Sequence, residues 1–259
     1  MNWQRQFLDT FKRLTYHHHS WRVWSDFVEM SAIAICNVVN TAEEHDRLEK
    51  RYLEIINAYE QRDQEEFPKL LAIVIQALDE NPKQDFLGTM FQELELSNHW
   101  KGQFFTPYHV CELMAELQAG DIAERGREKG DVTVNDPACG AGALLIAFAN
   151  MARSRGVNFQ RQVLFVAQDI DPTAAHMCYI QLSLLGCPGY VIVGDTLSRP
   201  GLHPENDVWY TPMWFSDVWR LRRLVGAMSA MIEQAKKDRP EPAPIIEPVE
   251  REVVQLTLF

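Results

Sequence analysis

Through the first hundred residues, apolar positions recur at helical spacing. Phe7, Phe11 and Leu14, then Trp21, Trp24, Phe27 and Met30, then Leu48, Tyr52, Ile55, Ile56 and Tyr59 form stripes with charged residues opposite. Leu70-Leu71-Ala72-Ile73-Val74-Ile75 reads as a more deeply buried helix. Few glycines or prolines interrupt this region before Asn81-Pro82. From residue 101 the pattern changes to short β-branched runs separated by longer apolar segments. Val132-Thr133-Val134, Val163–Ala167 and Tyr190–Val193 predict buried strands, and Val208-Trp209-Tyr210 a short fourth one. Ala143–Ala149 and Pro172–Leu185 predict helices between them, and a last helix is expected over about Val218 to Gln234. Strand and helix in alternation predict an α/β fold, a doubly wound parallel sheet covered on both faces and preceded by a helical domain. The expected domains are 1–100, helical; 101–235, α/β; and 236–259, a linker with a terminal peptide.

Composition narrows this picture. The hydrophobic fraction of 46% is enough for a core. No apolar run approaches the ~20 residues needed to span a bilayer, so no membrane association is expected. Five cysteines, odd in number and without a C-x-x-C pair, indicate neither a disulfide framework nor a zinc site, which suits a reducing cytoplasm. His17-His18-His19, read as helical, would point three ways and make no metal site. The net charge of −11 argues against tight non-specific binding to phosphate backbones. DNA would be reached through a partner or through a local basic patch, for which Arg220, Arg222 and Arg223 are the candidates; a solvated helix face is the alternative reading.

The candidate chemistry begins at Asp136-Pro137-Ala138-Cys139-Gly140-Ala141-Gly142, between the first strand and its helix. Two glycines allow close backbone approach, and the new helix offers free N–H groups to a ligand. Gln168-Asp169-Ile170-Asp171-Pro172 follows the second strand and Gly194-Asp195-Thr196-Leu197 the third; Gly102-Gln103-Phe104-Phe105-Thr106-Pro107 precedes them all. In a doubly wound sheet the carboxyl ends open onto one crevice, so these segments can converge on one ligand. A carboxylate there can accept two hydrogen bonds from a diol. Cys139 has no general base indicated beside it and reads as a small packing residue.

These four motifs, in this order and spacing, resemble the S-adenosylmethionine site of adenine-N6 DNA methyltransferases, above all the modification subunits of type I restriction systems. The likeness covers residues from about 100 to 200. It implies a Rossmann-like methyltransferase sheet and S-adenosyl-L-methionine as cofactor. By position it implies Phe105, Thr106 and Pro107 at the methionine end; Asp136, Ala138 and Gly140 along the methionine and sulfonium side; Asp169, with Ile170 beside it, at the ribose; and Asp195 at the adenine amine. The family pattern departs at the target base. Asn or Asp-Pro-Pro-aromatic is expected after the fourth strand, and no such tetrapeptide occurs. Thr211-Pro212-Met213-Trp214 is the best positional match, with Thr211, Pro212 and Trp214 as candidate catalytic residues; Asn206-Asp207-Val208-Trp209 is the other. Little sequence remains for the last strands of the usual sheet, so a truncated sheet and dependence on a partner are expected, or else a non-catalytic module on the same fold.

The chain ends differently. Lys236 to Pro244 is charged and proline-rich, as in an extended linker. Gln255-Leu256-Thr257-Leu258-Phe259 then closely resembles the peptide by which bacterial polymerases and repair proteins bind the DNA polymerase sliding clamp (β). The resemblance implies that partner, with Gln255, Leu256, Leu258 and Phe259 as the contacts; a tail folded back on its own domain is the alternative.

Overall fold

The computed structural model describes residues 2–96, 105–120, 122, 124 and 131–237. The N-terminal region is helical: α1 (Trp3–Thr15), α2 (Ser20–Cys36), α3 (Ala42–Ile56), the short α4 (Gln61–Gln64), α5 (Glu66–Glu80) and α6 (Phe86–Glu93). Caps set two of the starts. Asn2 Oδ1 accepts from the Arg5 N–H at 2.9 Å, and Asp85 Oδ1 from the Gly88 N–H at 2.8 Å. The apolar stripes meet in an aromatic core in which Phe7 lies edge-on to Trp24, Phe27 and Phe86, and Trp24 to Phe91. Each of these side chains is essentially fully buried, stabilising the fold by roughly 1.5–3 kcal/mol apiece. The three histidines lie in the turn between α1 and α2 rather than on a helix, and His18 Nε2 contacts Asp63 Oδ2 at 3.0 Å. Among the described residues no cluster suited to a metal ion occurs, and no helix is long and apolar enough to cross a membrane.

After α7 (Tyr108–Ala119) come β1 (Val132–Asp136), α8 (Ala143–Ser154), α9 (Phe159–Gln162), β2 (Val163–Asp169), α10 (Pro172–Leu184), β3 (Gly189–Val193) and β4 (Asp207–Tyr210). A 3-10 turn, Pro212–Phe215, leads to α11 (Asp217–Lys237). The sheet order is β1-β2-β3-β4. The two crossovers advance the same way, so right-handed connections place α8 and α10 on one face. Residues Ala174–Leu182 of α10 are buried throughout, because the helix lies against the sheet on one side and α2 on the other.

Two expectations are corrected here. The first three strands are parallel, but β4 runs antiparallel, with Tyr210 opposite Tyr190 and Asp207 opposite Val193. The sheet is also not evenly covered. Thr133 and Asn135 on β1 are exposed, and their register partners Leu164 and Val166 are only half-buried. Among the described residues β1 is an edge strand with one thinly covered face, not a buried one. By internal contacts the chain forms two compact units, Met1–Arg220 and Leu221–Phe259, the boundary falling inside α11.

Candidate functional site

The parallel strands bring three loops to one end of the sheet. The loop after β1 carries Gly140 at φ 53° and Gly142 at φ 92°, a region that side chains rarely adopt. Close approach enforces glycine as well. A Cβ at Gly140 would stand 2.9 Å from the Phe105 ring, and one at Gly142 would stand 2.8 Å from Cys178 Sγ. The loop is tied down by Cys139 N–H donating to the Gln168 carbonyl at 3.0 Å and Gly142 N–H to the Cys139 carbonyl at 2.8 Å. Cys139 itself is buried, and its thiol is pushed well up by its contact with the Cys178 thiol and by burial, which makes it a packing group rather than a nucleophile.

A cavity of about 310 Å³ opens above this loop, lined by Asp85, Phe105, Thr106, Asp136, Ala138, Gly140 and Asp169, with Met114 and Leu144 among its apolar walls. That size is in the range for a small organic ligand. Three carboxylates reach it, and among the described residues none of them forms an ion pair. Burial raises the pKa of Asp85, Asp136 and Asp169, opposed in each case by hydrogen bonds to the carboxylate. Asp136 Oδ1 accepts from Ala138 N–H at 3.2 Å. Asp169 accepts from Gly140 N–H at 2.8 Å through Oδ2 and from Asp171 N–H at 3.0 Å through Oδ1. A carboxylate has about four acceptor sites, so Asp169 retains capacity for a diol. An acid-lined, partly desolvated cavity favours a ligand carrying positive charge.

The structure thus brings Phe105, Thr106, Asp136, Ala138, Gly140 and Asp169 around one cavity. Pro107 caps the start of α7 and is exposed, outside the lining. Ile170 is 67% exposed beyond Asp169. Asp195 is also on the surface, its carboxyl held below the ordinary range by the Ser198 hydroxyl and the Leu197 N–H. Its loop still borders the glycine loop, because Thr196 Oγ1 donates to the Pro137 carbonyl at 2.6 Å. The remaining residues of the first motif, Gly102-Gln103-Phe104, and the terminal Gln255–Phe259 lie outside the described residues.

Thr211, Pro212 and Trp214 are not brought to the cavity. Because β4 runs antiparallel, its end lies beside the start of β3, at the opposite end of the sheet. Thr211 is fully buried there: its hydroxyl donates to the Cys187 carbonyl at 2.8 Å and accepts from Gly189 N–H at 3.1 Å. The Trp214 ring stacks on Tyr210 and lies edge-on to Tyr190. The sequence-based placement assumed a parallel fourth strand, and the reversal moves the whole tetrapeptide. Asn206, by contrast, is at the cavity end of the sheet but beyond β3, and its amide donates to the Arg199 and Gly201 carbonyls at 2.8 Å each, bracing a loop.

Sequence reasoning assigned no role to three residues. Asp85 comes from the helical region yet lines the cavity. Fully buried Gln181 on α10 donates to Asp85 Oδ1 and to the Ala141 carbonyl, both at 2.8 Å, and accepts from Leu87 N–H at 3.1 Å, joining α6 to the glycine loop. Gln168 does the same for the third loop, donating to the Gly194 and Arg199 carbonyls and accepting from Gly201 N–H. The available signal was a lone amide inside an apolar helix and another in an apolar strand, since a buried amide must find partners.

Comparison with known proteins identifies the family. The sequence profile of the N-6 DNA methylase family matches residues 84–238, which begins beside Asp85 and takes in the whole sheet. No curated protein and no solved structure matches the chain. Members of this family use S-adenosylmethionine as methyl donor. The match spans more than half of the chain, and the chain belongs to the N-6 DNA methylase family.

Proposed function

We propose that this chain binds S-adenosylmethionine in the cavity above residues 136–142 and serves as the cofactor-binding part of a DNA methylating system whose target-base element comes from a partner. The observation that carries the reading is the pairing of Gly140 N–H with Asp169 at 2.8 Å, which fixes a free-sided carboxylate against a glycine loop. When bound, S-adenosylmethionine supplies an activated methyl group. The residues fit its parts. Asp169 accepts from the ribose hydroxyls, and Gly140 leaves room for backbone approach. Asp136 and Asp85 lie on the side suited to the cationic sulfonium and ammonium, near Thr106 and Phe105. Ile170 and Leu197, both largely exposed, offer apolar surface for the adenine ring, with Asp195 as acceptor for its amine.

Base handling is assigned to a partner because the only Thr-Pro-x-aromatic match stands at the other end of the sheet, and a net charge of −11 does not hold DNA. A flipped adenine needs an acceptor for its amine and an aromatic face. The tail supplies a route to DNA: Gln255, Leu256, Leu258 and Phe259 would dock on the sliding clamp, raising the effective concentration near the duplex. The same tail supports a second reading, a non-catalytic module that uses the methylase fold for docking.

Calorimetry with S-adenosylmethionine tests the first element: saturable binding is expected, and none would refute it. A labelled methyl-transfer assay with the isolated chain is expected to give little product on duplex DNA, whereas robust sequence-specific labelling would remove the need for a partner. Polarisation with purified clamp should show binding lost on deleting Gln255–Phe259. Equal binding by both forms, or none, would end the docking role.

A further inference from the structure

Asp85 is buried more deeply than a helix cap requires. The residue is 4% exposed, yet it lines the cavity above the glycine loop. One carboxylate oxygen carries its structural contacts. Oδ1 accepts from Gly88 N–H at 2.8 Å, which caps α6, and from the Gln181 side-chain amide at 2.8 Å. Among the described residues Oδ2 has no hydrogen-bond partner and no cation pairs with the group. The surroundings are shaped to hold it. A Cβ at Gly88 would collide with the carboxylate, so a side chain there would displace the group. Gln181, fully buried within α10, directs its amide to Asp85 and to the Ala141 carbonyl of the glycine loop. An asparagine would cap α6 and accept from Gln181 equally well, because its carbonyl oxygen can take both N–H groups. The negative charge is therefore surplus to the fold, and burial opposes it. An anion kept dry and unpaired beside a ligand cavity is suited to a ligand cation.

We propose that Asp85 faces the sulfonium of S-adenosylmethionine and makes the site discriminate the methyl donor from its demethylated product. The inference rests on the cofactor reading above. Donor and product share ribose, adenine, ammonium and carboxylate; only the donor carries charge on sulfur. The two cations ask for different surroundings. An ammonium has three N–H donors and keeps its hydration, so it suits a carboxylate near water. A sulfonium has no N–H or O–H to donate, so only the field of a nearby anion separates it from a neutral thioether. That field is strongest from a carboxylate withdrawn from solvent. Of the three carboxylates on the cavity, Asp136 and Asp169 are half-buried and Asp85 alone is buried. Asp169 also has both oxygens engaged, by Gly140 N–H and Asp171 N–H. With a neutral thioether in the site, Asp85 is again a buried anion without a cation, which favours release of the product.

Calorimetry on the full chain and on Asp85→Asn tests this, with S-adenosylmethionine, S-adenosylhomocysteine and methylthioadenosine as probes. The asparagine keeps the bonds made by Oδ1, so the circular dichroism spectrum should not change. Should that variant not fold, Asp85→Ser, which retains a capping acceptor, is read in its place. The donor is expected to lose about tenfold or more in affinity, and the product and methylthioadenosine less than about threefold, so that the donor-to-product ratio falls. Equal loss of donor and product with methylthioadenosine spared would put Asp85 at the ammonium and overturn the assignment. Equal loss of all three would mark a purely structural role, and unchanged affinity for all three no role; either overturns it as well. In both cases the wild-type chain still binds the donor, and the cofactor reading stands. Absence of donor binding by the wild type would instead overturn that reading and this inference with it.

Discussion

The two ends of the four-stranded sheet are built on opposite plans. At the carboxyl ends of β1–β3 an open cavity is lined by the glycine loop and by three carboxylates raised in pKa by burial. At the other end nothing is held in reserve. Thr211 has its hydroxyl engaged with the Cys187 carbonyl and the Gly189 N–H, and Tyr190, Tyr210 and Trp214 pack ring against ring. Desolvated charge persists in a fold where surrounding structure enforces it, and such places cluster at binding sites. Satisfied, interlocked groups mark stability. The contrast sets an open, carboxylate-lined cavity at the first end against closed packing at the second.

Substitutions can set the two ends against each other. Gly140→Val should have the largest effect: a β-branched residue at positive φ, with its Cβ against Phe105, is expected to weaken S-adenosylmethionine binding by roughly hundredfold or more. Calorimetry reads the affinity, and circular dichroism confirms that the fold persists. Asp169→Ala removes the diol acceptor and the partner of Gly140 N–H. Hydrogen bonds to a charged group of roughly 1.5–3 kcal/mol each imply a loss of about tenfold or more, and unchanged affinity would show that the ribose lies elsewhere.

Thr211→Val should do the reverse. Leaving the Gly189 N–H and the Cys187 carbonyl short of a buried partner costs about 1–3 kcal/mol in a denaturant melt, with cofactor affinity unchanged. Should that variant lose cofactor binding while folded, the division between the ends fails. Trp214→Ala is likewise expected to leave any methyl transfer intact, because its ring belongs to the Tyr190–Tyr210 stack.

The smallest effect is on pH. Asp136 and Asp169 have folded-state pKa values above their unfolded ones, so acidification through that raised range protonates the folded chain first. These two groups therefore weaken the unliganded fold above the raised range, and their penalty is relieved as the pH falls. Cofactor affinity should move oppositely, dropping over the same range as the negative charge facing the cation is lost. Affinity that is flat, or that rises on acidification, would exclude these carboxylates from the contact.

Much of the cavity was legible from residues alone. The β-branched runs located all four strands, and the Asp136–Gly142 spacing located the loop, because backbone approach and positive φ leave glycine few substitutes. Strand direction was not legible. Asp207–Tyr210 is only four residues long, and its apolar content fits either orientation; what reverses it is the connection from Gly194 to Asn206, braced by Gln168 and Asn206. Asp85 and Gln181 were missed for a different reason. They lie 96 residues apart and meet only after α6 packs beside α10, so no local pattern joins them. Uneven burial of β1 was also hidden, since Val132-Thr133-Val134 suits a central or an edge strand alike.

The most direct test of the division between the sheet's two ends is one calorimetric series with S-adenosylmethionine on the wild-type, Gly140→Val and Thr211→Val proteins, each shown to be folded. Saturable one-site binding by wild type, abolished in Gly140→Val and retained in Thr211→Val, is the expected result. No binding by wild type, or loss in Thr211→Val with retention in Gly140→Val, would contradict it.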